Sequence, residues 1–135
     1  MSQGQIAWDR RMIEAVCHCG AVRISVADAP SQVTDCNCSI CRRLGALWAY
    51  YPTSDLTIRA ASEATRAYVQ GDRMIAFHHC RTCGCTTHWT SLTGNERMAI
   101  NARLLEPADL AGAKVRKLDG AVSWAYREDA GGAQG

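Results

Sequence analysis

The residues of this chain best suited to chemistry are its eight cysteines. They fall in three groups: Cys17-x-Cys19, Cys36-x-Cys38-x-x-Cys41 and Cys80-x-x-Cys83-x-Cys85. Thiolates are soft donors that suit zinc. Cysteines one residue apart are poorly placed to bridge each other, but they can converge on one ion if the backbone turns tightly. The first eleven residues include Gln3, Gln5, Asp9, Arg10 and Arg11 and hold no continuous apolar run, so they do not read as a secretory signal. The expected location is therefore cytoplasmic, where clustered cysteines are more often metal ligands or catalytic thiols than disulfides.

Spacing divides the ligands. Cys17 and Cys19 with Cys80 and Cys83 make a four-thiolate set, the donor set of a closed structural zinc site. Each half is a tight turn with glycine immediately after, at Gly20 and Gly84. Cys36, Cys38 and Cys41 remain as a second set with three ligands. Three protein ligands and one exchangeable position make the pattern of a catalytic zinc. The alternative is a closed second site completed by Cys85 or His88, with His18, His78 and His79 as further candidates. An open three-thiolate zinc activates water less well than a histidine-rich one but takes a soft sulfur ligand readily. Arg42 and Arg43 follow at once. They either meet carboxylates on a substrate or are solvated surface cations.

The elements that must position these groups are short. Met12–Val16 and Ala21–Val26 read as two strands with Cys17-His18-Cys19-Gly20 at their hairpin tip. Ser39–Leu44 reads as one helical turn ended by Gly45, which would aim Cys38 and Cys41 the same way. Ala46–Tyr51 is an aromatic strand stopped by Pro52. Leu56–Arg59, Thr65–Val69 and Met74–His78 are further strands, with a Gly71-Asp72 turn between the last two. Thr86–Trp89 continues beyond the second knuckle. Arg97–Arg103 alternates, with Met98, Ile100 and Ala102 on one face. Glu106–Leu110 is a brief helix or turn, Val115–Leu118 a last strand, and Trp124 and Tyr126 are expected to close the core. The fold class is mainly β, with little helix.

At 135 residues the chain is read as a single domain with a core of about 12–126. Residues 1–10, where Trp8 could pack, and 127–135 are read as loosely ordered arms. A net charge of +2 without a basic run points to no nucleic-acid partner. No stretch approaches a membrane span.

The order Cys-x-Cys-Gly-Ala-Val-Arg (Cys17 to Arg23), Cys-x-Cys-Ser-x-Cys-Arg-Arg-x-Gly-Ala (Cys36 to Ala46) and Phe-x-x-Cys-x-x-Cys-Gly (Phe77 to Gly84) resembles the glutathione-dependent formaldehyde-activating enzymes, a family also named after centromere protein V. The resemblance spans roughly Glu14 to Trp124. It implies a zinc-containing β-tent of short curved antiparallel sheets and two zincs per chain. Cys17, Cys19, Cys80 and Cys83 would hold the structural one, and Cys36, Cys38 and Cys41 the catalytic one. It also implies a carbon–sulfur lyase reaction: reversible formation of S-(hydroxymethyl)glutathione from glutathione and formaldehyde. On that reaction, Arg42, Arg43 or both would help hold the carboxylates of the thiol. The rival readings are a non-catalytic zinc-binding module for a small thiol and a zinc-ribbon adaptor. Cys85 and the His78-His79 pair depart from the expected pattern, and Cys85 keeps a closed second site open.

Overall fold

The computed structural model describes residues 13–69, 71 and 73–127. The two expected arms, apart from Arg127, together with Trp8, Met12 and Asp72, lie outside them. The described residues form ten short strands, two single-turn helices and two 3₁₀ turns. Strands β1 (Ile13–Val16), β2 (Val22–Val26) and β5 (Leu56–Ala60) make a three-stranded sheet in the order β1-β2-β5. A seven-stranded sheet runs β10 (Lys114–Leu118), β3 (Gln32–Cys36), β4 (Trp48–Pro52), β9 (Arg97–Asn101), β8 (Thr86–Ser91), β7 (Ile75–Cys80), β6 (Thr65–Val69). Helix α1 is Cys41–Leu44 and α2 is Pro107–Leu110.

Strand side chains alternate between faces, so the large sheet has two distinct sides. One side contributes Val33, Ala49, Tyr51 and Ile100, which pack with Ala15, Ile24 and Val26 of the small sheet. The other contributes Cys36, Trp48, Phe77, Trp89 and Ala99, which α1 covers through Cys41. Cys17, Cys80 and Cys83 lie with the first of these cores, and Cys36, Cys38 and Cys41 with the second.

Most expected elements form within a residue or two, and Thr65–Val69 forms as read. The short sheets are antiparallel as read except at one edge of the large one, where β10 pairs with β3 in parallel, Leu118 opposite Cys36. Two expectations need correction. The alternation at Arg97–Arg103 does not mark a half-buried strand. Met98, Ala99, Ile100 and Asn101 are all buried, because β9 sits inside the large sheet with cores on both sides, and its end tightens into a 3₁₀ turn at Ala102–Leu104. Trp124 and Tyr126 do not close the core: they are 67% and 37% exposed. Tyr126 instead bridges to Leu118 at the sheet edge. No helix among the described residues is long and apolar enough to cross a membrane.

Candidate metal centres

The β1–β2 and β7–β8 hairpins carry the same construction at their tips. Cys17 N–H donates to Val22 O and Gly20 N–H to Cys17 O. In the second, Cys80 N–H donates to Cys85 O and Gly84 N–H to Cys80 O. Gly20 and Gly84 take φ of 84° and 83°, the left-handed region where a side chain is strained. The turns bring Cys17, Cys19, Cys80 and Cys83 together, all four sulfurs within 4.8 Å of one another. Cys19 Sγ lies 3.7 Å from Cys17 Sγ and 3.6 Å from Cys80 Sγ. A tetrahedral ion with metal–sulfur bonds near 2.3 Å places its sulfurs about 3.8 Å apart, so this donor set fits one metal ion as it stands. A disulfide would need about 2.05 Å, and all eight cysteines are free. Val22 N–H donates to Cys17 Sγ at 3.3 Å.

The second cluster is built on one strand end and one helical turn. Cys36 ends β3, and the chain then turns so that Cys41 opens α1. Arg42 N–H bonds Cys38 O, and Gly45 closes the turn with φ 67°. The Arg103 guanidinium ties down its end by donating to Gly45 O at 2.8 Å. Cys36, Cys38 and Cys41 sulfurs also lie within 4.8 Å of one another. Each receives a donor: Cys41 N–H to Cys38 Sγ at 3.4 Å, Trp48 Nε1–H to Cys41 Sγ at 3.4 Å, and Gly120 N–H to Cys36. Hydrogen bonds from Cys41 and from backbone N–H groups hold the Cys36 thiol down at about 6 despite its burial. The contact with Cys36, followed by burial, pushes Cys41 up. Three sulfurs this close together, each receiving an N–H donor, are suited to a cation.

This cluster groups three ligand atoms among the described residues. Cys85 packs on the other core, near Cys83 and Cys17, and its thiol accepts from His18 N–H. His88 is occupied elsewhere as well. Its ring stacks on His78 at 4.4 Å and its Nδ1 meets Thr87 Oγ1 at 2.8 Å. His78 is held between Thr65 and Thr90 hydroxyls. Burial, then the neighbouring His78, lowers His88 to about 3. Arg42 and Arg43 are exposed, and Arg43 donates to Ser39 O at 2.8 Å.

The rest of the site comes from residues that spacing did not single out. The segment after β10 lies over Cys36. Asn37 clasps it by donating to Asp119 Oδ1 at 3.1 Å and accepting from Ala121 N–H at 3.0 Å. At Gly120 a Cβ would stand 2.5 Å from Cys36 Sγ. Trp124 borders Gly120 and has φ 59°, with its N–H bonded to Asp119 O. Tyr50, Arg97, Arg116 and Tyr126 gather beside Thr34. Arg97, Arg116, Gly120, Trp124 and Tyr126 lie sixty to ninety positions after Cys36 and carry no local signal that would assign them here.

A mainly β chain with two clusters of free thiols, one of four and one of three, defines a class of cysteine-ligated metal-binding folds. The family described as glutathione-dependent formaldehyde-activating enzyme matches residues 12–116, and the chain belongs to that family. It is also similar to a crystal structure of a Rhodobacter sphaeroides protein, with 34% identity and a TM-score of 0.64 over 76% of this chain and 99% of that one.

Proposed function

We propose that this protein is a zinc-dependent carbon–sulfur lyase that makes and breaks S-(hydroxymethyl)glutathione, or a closely related adduct of a thiol and an aldehyde. The observation that carries the reading is the unequal ligand count: four sulfurs in one cluster, three in the other. Cys17, Cys19, Cys80 and Cys83 would hold a structural zinc between two hairpins. Cys36, Cys38 and Cys41 would hold the second. When bound there, zinc supplies a soft Lewis-acidic position that favours a substrate sulfur as thiolate.

The chain's own residues do the rest. Trp48 and Gly120 fix the directions of Cys41 and Cys36 through N–H···S bonds. Cys38, the least buried of the three, faces the approach. Arg42 and Arg43 set positive charge beside it. In the forward direction the thiol releases its proton, its sulfur bonds to the carbonyl carbon, the C=O π bond opens, and the oxygen takes up one proton in return, so the adduct forms with no net gain or loss of protons. Holding the two reactants side by side supplies much of the rate. Free thiols throughout suit a cytoplasmic setting.

The test is exchange NMR of glutathione with formaldehyde, with and without the zinc-loaded protein, corrected for the fast uncatalysed reaction. Exchange should accelerate with wild type and fall to background with Cys38→Ser. Equal rates with and without wild-type protein would leave a thiol-binding module and sink the enzyme.

A further inference from the structure

The large sheet has two edges, and they are finished differently. At one, β10 carries Lys114, Arg116 and Lys117, and residues 126–127 meet its outer side: Tyr126 bridges Leu118, and Arg127 N–H bonds Lys117 O. Charges and a covering segment are the usual means of blunting an edge. At the other, β6 (Thr-Arg-Ala-Tyr-Val) holds one charge and no proline, and keeps an unbroken register with β7. No strand among the described residues lies outside it. One bond fixes the direction of its backbone groups. Arg81 N–H donates to Ala64 O, in line with the β6–β7 register that sets Thr65 opposite Cys80. Antiparallel bonding alternates along a strand, so Arg66 and Tyr68 also turn their N–H and C=O toward β7. Thr65, Ala67 and Val69 turn theirs outward, away from the sheet. Tyr68 is 53% exposed, and Arg66 and Ala67 are exposed as well.

We infer that β6 pairs antiparallel with β6 of a second copy of this chain, about a two-fold axis at Ala67, and joins the two large sheets into one. The strand is complementary to itself in that register. Thr65 falls opposite Val69 of the second copy and Ala67 opposite its own counterpart, so every outward residue has a partner. Each such pair exchanges two N–H···O=C bonds, about six in all. Arg66 falls opposite Tyr68 on both sides of the axis. These are the closer pairs, with Cα atoms about 4.5 Å apart, where a guanidinium can lie on a tyrosine ring. Other registers fit less well. A slip of one residue sets outward backbone groups against inward ones. An axis at Arg66 sets two arginines directly opposite, which is destabilising, and an axis at Tyr68 takes the ring from both arginines. Either also forfeits one of the bonded pairs. A two-fold axis through the sheet keeps each face on its own side. Tyr68 lies opposite Phe77, so Arg66 and Tyr68 stand on the three-thiol face. There Tyr68 borders a hollow with Ile40, Leu44, Phe77 and His79. Arg66 of the second copy would stand at its rim. Both three-thiol centres would lie on one side of a sheet with seven strands from each copy.

The experiment is sedimentation equilibrium of the zinc-loaded full chain over a range of concentrations, with metal content and circular dichroism as checks on folding. Wild type should sediment as a dimer that dissociates on dilution. Ala67→Pro removes the two N–H donors at the axis. That N–H points away from β7, so the β6–β7 ladder keeps its bonds. The dimer should weaken by about a hundredfold, about tenfold for each bond lost. Tyr68→Arg sets an arginine opposite Arg66 in two places and should weaken it by about tenfold. Combining Arg66→Tyr with Tyr68→Arg restores one ring opposite one guanidinium and should return the dimer to within about threefold of wild type. A monomer at every concentration overturns the inference. So does a dimer that Ala67→Pro and Tyr68→Arg leave at wild-type strength, since the contact then lies on another surface. A double exchange that dimerises no better than Tyr68→Arg overturns the register. Should Ala67→Pro lose its strand signal, Tyr68→Arg and the double exchange decide.

Discussion

Gly120→Ala is the sharpest single perturbation this structure offers. The added methyl would stand 2.5 Å from Cys36 Sγ, 3.2 Å from Cys38 Cβ and 3.3 Å from Trp124 Cζ3. Ordinary carbon contacts settle at roughly 3.5–4.0 Å, so the overlap with sulfur is about 1 Å. Gly120 does not occupy the left-handed region, so the effect is steric and not a matter of backbone freedom. Cys36 cannot yield easily. It is buried, it is the last residue of β3, and Leu118 lies opposite it. Either the sulfur moves or the covering segment lifts. Overpacking of this kind costs about 1–3 kcal/mol. Because the strain falls on one of the three proposed ligands, most of it should appear as weaker metal binding at the three-thiol cluster, about ten- to a hundredfold. Competition with a chromophoric chelator, read as two separately titrating metals, measures this, and urea unfolding measures the stability loss. The metal of the four-thiol cluster should be unaffected. Gly112→Ala is the control, because nothing lies within 4 Å of its Cβ. If Gly120→Ala retains both metals at wild-type affinity with unchanged stability, the covering segment does not press on Cys36 and the reasoning fails.

Three further outcomes follow from the same geometry. Cys80→Ser should cost most of the folding free energy, since metal binding there is also folding. Cys36→Ser should keep the strand signature in circular dichroism and lose one metal, and equal unfolding by the two would make both clusters structural. His88 is neutral and buried in the fold, lowered to about 3 against an ordinary 6.5. The unfolded chain therefore binds the extra proton, and stability should fall as pH drops below about 6.5, by up to about 1.4 kcal/mol per pH unit, until about pH 3. His88→Gln should flatten that part of the wild-type profile in urea titrations run at stepwise pH, and a superimposable profile would refute the assignment. Asn37→Ala removes both side-chain clasps on residues 119–121. Amide exchange in that segment should speed by about ten- to a hundredfold, about 1–3 kcal/mol of lost protection, with the β1–β2 hairpin unchanged.

What could be read from the chain was what is decided within a few residues. Both knuckles were legible because cysteine spacing and a following glycine specify a tight turn without help from elsewhere. The turn at α1 was legible for the same reason, ended by Gly45. The strands were visible, but their partners were not. Nothing around Val115 announces that it will lie parallel to Val33, eighty residues back. Alternation at β9 misled because a strand between two cores buries both faces whatever its pattern suggests. Trp124 reads as a core residue, yet its backbone has a positive φ and its N–H bonds Asp119 O, and its side chain is left 67% exposed. The cysteines were legible because three thiols in six residues are rare. Arg97, Arg116 and Thr34 were not, since a lone arginine or threonine acquires a role only when the sheet brings it beside another.

The parallel pairing of β10 with β3 has a consequence for how the chain comes to be built. During synthesis the partners of the four-thiol cluster are all present once Gly84 has emerged. The strand carrying Cys36 must wait a further thirty or so residues for its outer neighbour. Until then β3 is an open edge of the sheet, with unpaired backbone groups that invite pairing with another chain. The three-thiol centre is thus finished last. A chain cut short before Lys114 would carry a complete four-thiol cluster alongside an unfinished reactive one.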